Sequence, residues 1–238
     1  MKLSWLLAVL MLFHIETQAQ QLELKVVTEN WPPYIIKGDE PSGIVTEKIN
    51  QILSYTNLNY SISVYPWARS YYIATNKPNV LIYSIYRNAK REPLFHWFCP
   101  IHQATPIRIY KLAGNPTDID SIEGLKKSVL GIMRGDNSHN FFLQNGFVPG
   151  KNIDISASEE INLLKLVNGK VDAVVQSEES LRHRLNDMDA EHLTFIAGLV
   201  LHDGEKAQHC MALSKETEPE IIQAVQTAFD TWQLTQAN

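Results

Sequence analysis

The sequence predicts an α/β protein made of two consecutive units, and three observations carry that prediction. Apolar runs of strand length alternate with stretches of helical periodicity, turn residues separate them, and the same plan starts again at Ile107. Leu22 to Thr28 alternates apolar and polar residues as a strand does, and the turn Asn30 to Pro33 ends it. Val45, Ile49, Ile52 and Leu53 recur at the spacing of one helical face, so a helix is expected to begin near Gly43. Tyr60, Ile62 and Val64 alternate as a second strand. Pro66 opens a short helix holding Trp67, Tyr71 and Ala74, and the turn Asn76 to Asn79 leads to an apolar strand, Val80 to Ser84.

In the second unit, Ile107 to Leu112 reads as a strand, Asp118 to Leu125 as a loop and short helix, and Val129 to Ile132 as a strand that stops at Arg134-Gly135-Asp136. Asn137 or Ser138 is expected to cap the next helix, and Ser158 the one after it, with Ile161, Leu164 and Val167 facing inward. Gly169 ends that helix before a short strand, Val171 to Val175. One more helix follows Glu178, then Leu193 to Val200 and a strand His209 to Leu213. Ile221, Val225, Ala228, Phe229 and Trp232 mark a C-terminal amphipathic helix. Alternating strands and helices imply largely parallel sheets, which bind ligands in a crevice at the carboxyl ends of their strands.

The first residues carry one lysine, an apolar run from Leu3 to Ile15, and small residues ahead of a polar step, the pattern of a signal peptide cleaved after Ala19. Residues 1–19 are therefore set aside, and an exported, periplasmic chain without a lipid anchor is expected. No later segment approaches the ~20 apolar residues of a membrane helix. A net charge of −5 without any cluster of Lys and Arg argues against nucleic acid or an anionic membrane as partner. Cys99 and Cys210 are the two cysteines; a disulfide between them and a pair of buried free thiols are both compatible with export.

The most telling stretch is Val80 to Ile101, where an apolar strand runs into Arg87 and Arg91 and then into an aromatic-rich exit. Guanidinium groups at a strand end suit a small carboxylate, which they hold through two parallel hydrogen bonds. The bland reading makes both arginines surface partners of acids such as Glu92.

Several segments in order, VVTENWPPY, YPWARS, SIYRNAKREPLFHWFCPI, SIEGLKKSVLGIMRGDNS and LVNGKVDAVVQSEESL, resemble the bacterial extracellular solute-binding proteins of family 3 over the whole mature chain. The resemblance implies the type II periplasmic binding protein fold, two lobes joined by two hinge strands. The first lobe would hold residues 20–102 and 208–238, the second residues 103–207. It further implies a monomer that captures a small polar solute, an amino acid or related acid, for an ABC-type inner-membrane permease, with no cofactor.

Carried over by position, Trp31 or Tyr34 resembles the aromatic that lies against the ligand. Trp31 and Trp67 stand beside proline-containing turns at strand ends, which favours the cleft wall over ordinary core packing for each. Ser84 and Tyr86 resemble positions that offer hydrogen bonds, and Arg91 the clamp of the ligand carboxylate. Gly135, Asp136 and Asn137 fall in the second-lobe loop that closes on the ligand.

One departure matters. Ser177 stands where amino-acid binders carry the aspartate that pairs with the ligand ammonium, so either Glu178, Glu29 or Asp136 replaces it or the ligand lacks that ammonium. Arg87, and more distantly Arg69, would add positive charge. Two rivals use the same scaffold: an exported enzyme of the cyclohexadienyl dehydratase type, with Glu29 or Glu178 as acid, and a sensing module for a membrane partner. Nucleophile elbows, phosphate loops and metal-ligand spacings are absent from the sequence, and His96, His102, His202 and His209 are expected to pack or face solvent.

Overall fold

In the computed structural model, which describes residues 22–236, the chain forms two five-stranded sheets with helices packed on them. The first sheet holds β1 (Glu23–Thr28), β2 (Asn59–Val64), β3 (Val80–Ile85), β4 (Phe95–His102) and β10 (His209–Ser214), in the order β2-β1-β3-β10-β4. The second holds β5 (Ile107–Leu112), β6 (Leu130–Met133), β7 (Ile153–Ser156), β8 (Ala173–Ser177) and β9 (Phe195–His202), in the order β7-β6-β8-β5-β9. In each sheet one strand, β10 or β5, runs antiparallel to both its neighbours. The other four share a direction, so both sheets are mainly parallel, and their carboxyl ends can carry a site.

The chain crosses between the sheets twice, from β4 to β5 and from β9 to β10. The two crossing segments are tied together where the Thr105 amide donates to the Ala207 carbonyl at 3.0 Å. This is the two-lobed, hinged architecture.

The central strand β3 is buried at all six positions, which explains its unbroken apolar run. Helix α1 (Ile44–Leu53) buries Val45, Ile49, Ile52 and Leu53, the stripe read from sequence. Each such side chain contributes about 1.5–3 kcal/mol by leaving water. Gly43 precedes it at φ 107°, and a Cβ there would lie 2.7 Å from the Tyr34 carbonyl oxygen, so no other residue fits without moving the backbone. Helix α2 (Trp67–Asn76) starts after Pro66, and α7 (Pro219–Gln236) buries Ile221, Val225, Ala228, Phe229 and Trp232 against the first lobe. The second lobe adds α3 (Ile122–Leu125), α4 (Asn137–Gln144), α5 (Glu159–Val167) and α6 (Glu178–Asp187).

Four local expectations change. Helix α5 does begin after a Ser158 cap, but it turns Asn162, Leu163 and Leu166 inward and leaves Ile161 and Leu164 about two-fifths exposed. Apolar residues lie on both sides of this short helix, so periodicity alone does not choose its face. The cap of α4 is Asp136, whose carboxylate accepts from the His139 amide at 2.6 Å, rather than Asn137 or Ser138. Strand β8 starts two residues later than its apolar run suggests, and its buried end includes Gln176 and Ser177. Strand β4 carries too little alternation, and β7 is only four residues long, so neither stands out in the sequence.

Cys99 on β4 and Cys210 on β10 form a disulfide across these neighbouring strands, 111 residues apart. Closing a loop of that length stabilises by about 4–5 kcal/mol in the chain-entropy model. The signal-peptide expectation lies outside the described residues. No described helix is long and apolar enough to cross a membrane.

Candidate functional site

Strand ends from both sheets meet at a cavity of about 50 Å³ between the lobes. From the first lobe, Glu29 and Trp31 follow β1, Ser84 and Tyr86 lie at the end of β3, and Trp67 opens α2. Ser84 adopts φ 57°, a left-handed conformation uncommon outside glycine, and its hydroxyl lies 3.1 Å from Nδ1 of His209. Arg91 is only 5% exposed. Its Nη1 donates to the Tyr86 carbonyl at 3.1 Å, and its guanidinium lies 5.0 Å from the Trp67 ring and 5.2 Å from the Tyr71 ring. Burial lowers the pKa of Arg91, yet a guanidinium keeps its charge in a protein. Among the described residues no carboxylate stands within ion-pair distance of it.

The second lobe faces this wall with carboxylates. Asp136 is the third residue beyond β6, and Glu159 the third beyond β7. Because β6 and β7 are parallel with Met133 paired to Ser156, the equal offsets bring both acids to the same edge. Both line the cavity with Glu29. Burial pushes Glu159 up to about 7, with Arg184 opposing and Asp136 reinforcing the rise. Burial likewise raises Asp136 to about 6, against the His139 amide and Arg91. Glu29 is raised by burial first and then by Glu159 and Asp136. Three carboxylates crowded in a poorly hydrated space resist ionising together, and a cation placed among them would relieve all three.

Arg184 only partly meets that need. It is 4% exposed, its Nη2 donates to the Asn30 carbonyl at 3.0 Å across the cleft, and it stands 3.7 Å from Glu159 Oε2, beyond hydrogen-bond length. Glu159 Oε2, Arg184 Nε and Gln176 Oε1 are buried without a hydrogen-bond partner among the described residues, and Trp31 Nε1 is a further unmet donor in the first lobe. Buried polar atoms left this way are uncommon in folded proteins, and a guest is one way to satisfy those at a cavity.

The lobes touch. Trp67 Nε1 donates to the Gly135 carbonyl at 2.9 Å, the Asn88 amide to Asn137 Oδ1 at 2.9 Å, and the Tyr34 hydroxyl to Glu179 at 3.2 Å. Behind this cleft sits His209, fully buried and stacked on Trp31 with centroids 4.8 Å apart. Its Nε2 lies 2.9 Å from the Thr105 hydroxyl in the hinge. Burial, helped by His102 and Lys48, lowers His209 to about 3, so it is neutral and acts as a hydrogen-bonded pin between β3 and the hinge.

The sequence expectations divide accordingly. Glu29, Trp31, Trp67 and Ser84 line the cavity, as do Tyr86, Arg91, Asp136 and Asn137. Gly135 serves through its carbonyl, and Tyr34 packs behind the wall against Trp31 and His209, its hydroxyl raised to about 12 chiefly by burial.

Arg87 does not reach the cavity; it forms a two-pronged pair with Glu92 at 2.6 Å on the surface, the bland reading of that residue. Arg69 lies over the Tyr65 ring. Ser177 is buried as the cap of α6, its hydroxyl accepting from the Ser180 amide, and Glu178 points away to pair with Arg182. Of the three acids offered in place of an aspartate at Ser177, Glu29 and Asp136 therefore stand at the cavity and Glu178 does not; of the two acids named for catalysis, only Glu29 does. His202 lines the cavity instead of simply packing or facing solvent.

Glu159, Arg184 and the pinning role of His209 escaped the sequence reading. Glu159 takes its place from strand β7, which the sequence analysis does not identify, so its offset from that strand gives no sequence signal.

No protein-family model matches the chain, and no curated protein does. Solved structures do. A histidine kinase sensor domain with similarity to periplasmic binding proteins superposes with a TM-score of 0.77 at 14% identity, covering 90% of this chain and 92% of that one. Holo ArgBP from T. maritima gives 0.72 at 14% identity, covering 90% of each chain. A periplasmic binding protein of an arginine transport system from Legionella pneumophila gives 0.71 at 15%, covering 91% and 95%. At these identities the likeness establishes the fold, that of the periplasmic binding proteins.

Proposed function

We propose that this protein captures a small zwitterionic solute between its lobes, its carboxylate on Arg91 and its ammonium or guanidinium among Glu29, Asp136 and Glu159. The observation that carries this reading is the charge arrangement of one cavity: a buried guanidinium with no carboxylate partner among the described residues, set in a space that also holds three buried carboxylates, Glu29 from its own lobe and Asp136 and Glu159 from the other. A dicarboxylate would satisfy Arg91 but add negative charge to a site that already holds too much. Glu29, Asp136 and Glu159 thus take the part that Ser177 cannot play.

Contacts from both lobes reach such a guest only when the cleft is closed, so binding stabilises the closed state over the open one. The solute would then pass from the periplasm to an ABC-type importer, with residues 20–102 and 208–238 forming one lobe and 103–207 the other, in a monomer. The arginine-binding names of two structural neighbours support an amino acid or a relative of one. A sensing role for the same pocket is favoured by the kinase sensor domain among the neighbours; pull-down of a permease or of a kinase from membranes separates the two.

The test of the ligand class is a thermal-shift screen of residues 20–238 against amino acids, dicarboxylates and small peptides. Stabilisation by zwitterions and none by succinate or malonate is expected. Stabilisation by the dicarboxylates alone overturns the reading.

A further inference from the structure

Outside the cavity lies a second space. A groove of about 720 Å³ opens beside it, and Arg91, Asn137 and His202 line both, so the two adjoin at these three residues. Their charges are opposite. The cavity holds Glu29, Asp136 and Glu159, whereas the groove is lined by Arg87, Lys90 and Arg91, with side-chain amides from Asn88, Asn140 and Gln144 and no carboxylate.

Arg87 is neutralised by Glu92, but Lys90 has no ion-pair partner among the described residues. Its ammonium reaches across the groove to Asn140 Oδ1 at 3.1 Å, a neutral acceptor that leaves the charge uncompensated. The positive field is felt nearby: after burial, Arg134 and Lys90 are what lower the pKa of His139.

Size sharpens the contrast. The cavity is much the smaller of the two spaces, about 50 Å³ against about 720 Å³, so it suits a charged head group rather than a whole long solute. A longer solute held at Arg91 can extend toward the adjoining groove, where Lys90 is a second positive charge.

We propose that the natural solute is longer than a single small amino acid and carries a second anionic group beyond Arg91, met by Lys90 and the amides of the groove. This rests on the zwitterion reading of the cavity and extends it. The cationic head lies inside, a first carboxylate at Arg91, and the extra anionic group outside, so the solute's charges run along the cleft in the order opposite to the protein's. A solute with a cationic tail would bring like charge against Lys90 and be rejected.

The test is calorimetric titration of the protein with glycine and with three dipeptides that share one head and differ at the tail: glycyl-glutamate, glycyl-glutamine and glycyl-lysine. The expected order is glycyl-glutamate tightest, glycyl-glutamine about tenfold weaker and glycyl-lysine weaker still, with Lys90→Glu inverting the order. Equal affinities for the three, tightest binding of glycyl-lysine, or an order that Lys90→Glu leaves unchanged overturns the proposal. Glycine binding without any dipeptide also overturns it while leaving the cavity reading in place. Silence from glycine and all three dipeptides overturns both.

Discussion

The two faces of the cleft are built on opposite principles. On the first-lobe side, several buried polar groups are already satisfied, although Trp31 Nε1 is unmet and Arg91 has no carboxylate partner among the described residues: Thr28 donates to the Tyr83 carbonyl at 3.1 Å, Ser70 to the Thr28 carbonyl at 2.7 Å, and His209 lies within hydrogen-bond reach of Ser84 and Thr105. Aromatic rings fill the space between them, and a disulfide fastens β10 to β4 behind. On the second-lobe side, Glu159 and Arg184 face one another at 3.7 Å, and polar atoms of Glu159, Gln176 and Arg184 lack hydrogen bonds among the described residues. The first face is largely hydrogen-bonded within itself, and the second leaves more of its buried polar atoms to be met by something between the two. Preorganising one wall and leaving the other electrostatically unsatisfied ties closure to the guest, because unmet buried charge costs most when water is excluded.

The comparison breaks most visibly if the first lobe is not held by its staple. Replacing Cys99 and Cys210 together by alanine is expected to lower stability by about 4–5 kcal/mol. The loss should appear in a thermal melt, with faster amide exchange in β4 and β10 and little change in β6 to β8. Uniform loss of protection in both lobes would contradict the separation of roles.

Arg91→Ala comes next. The first-lobe guanidinium at the carboxylate-lined cavity disappears, and the affinity for any zwitterion that shifts the melting temperature should fall by about 100-fold or more, about 2.7 kcal/mol. Unchanged affinity in calorimetry removes Arg91 from the site.

Glu159→Gln probes the incomplete wall. Losing the carboxylate removes a charge that burial disfavours even beside Arg184, so the ligand-free variant should be at least as stable as the parent protein at pH 8. The pH dependence should change as well. Glu159 titrates near 7 when folded and near 4.3 when unfolded, so between these values the folded state holds the extra proton and stability falls as pH rises. Ligand-free protein should therefore be more stable at pH 6.5 than at pH 8 by up to about 1 kcal/mol, and Glu159→Gln should flatten that slope. Further acidification works against this, since His209, neutral in the fold with a pKa near 3, withdraws its contribution as pH drops from about 6.5 towards 3. A slope that persists in Glu159→Gln assigns the proton elsewhere.

The smallest effect belongs to Arg87→Ala. Its pair with Glu92 is half exposed, so the change should cost no more than about 1 kcal/mol and leave solute affinity unaltered. A tenfold loss of affinity would return Arg87 to the site.

Much of this contrast was legible along the chain, and the limits have physical reasons. Strands and helices with clean periodicity, such as Val80–Ile85 and the stripe of Val45, Ile49, Ile52 and Leu53, declare their buried faces directly. Arg91 was legible because a guanidinium following a buried strand is rarely idle, yet the same logic overvalued Arg87, whose partner Glu92 lies only five residues away. Helix α5 misled because Ile161 and Leu164 are as apolar as the buried Leu163 and Leu166, and only packing against the second sheet decides between the faces. Glu159 and Arg184 stayed hidden because charged residues on a helix ordinarily mark its solvated side. Their burial follows from the pairing of β6 with β7 and from the approach of the opposite lobe, long-range facts that no local pattern contains.

The most direct measurement is a pair of calorimetric titrations, with glycine and with malonate, which differ at one end by an ammonium in place of a carboxylate. If a guest's positive group completes the second-lobe wall, glycine gives saturable heat and malonate none. Malonate binding as tightly as glycine, or more tightly, would contradict the account.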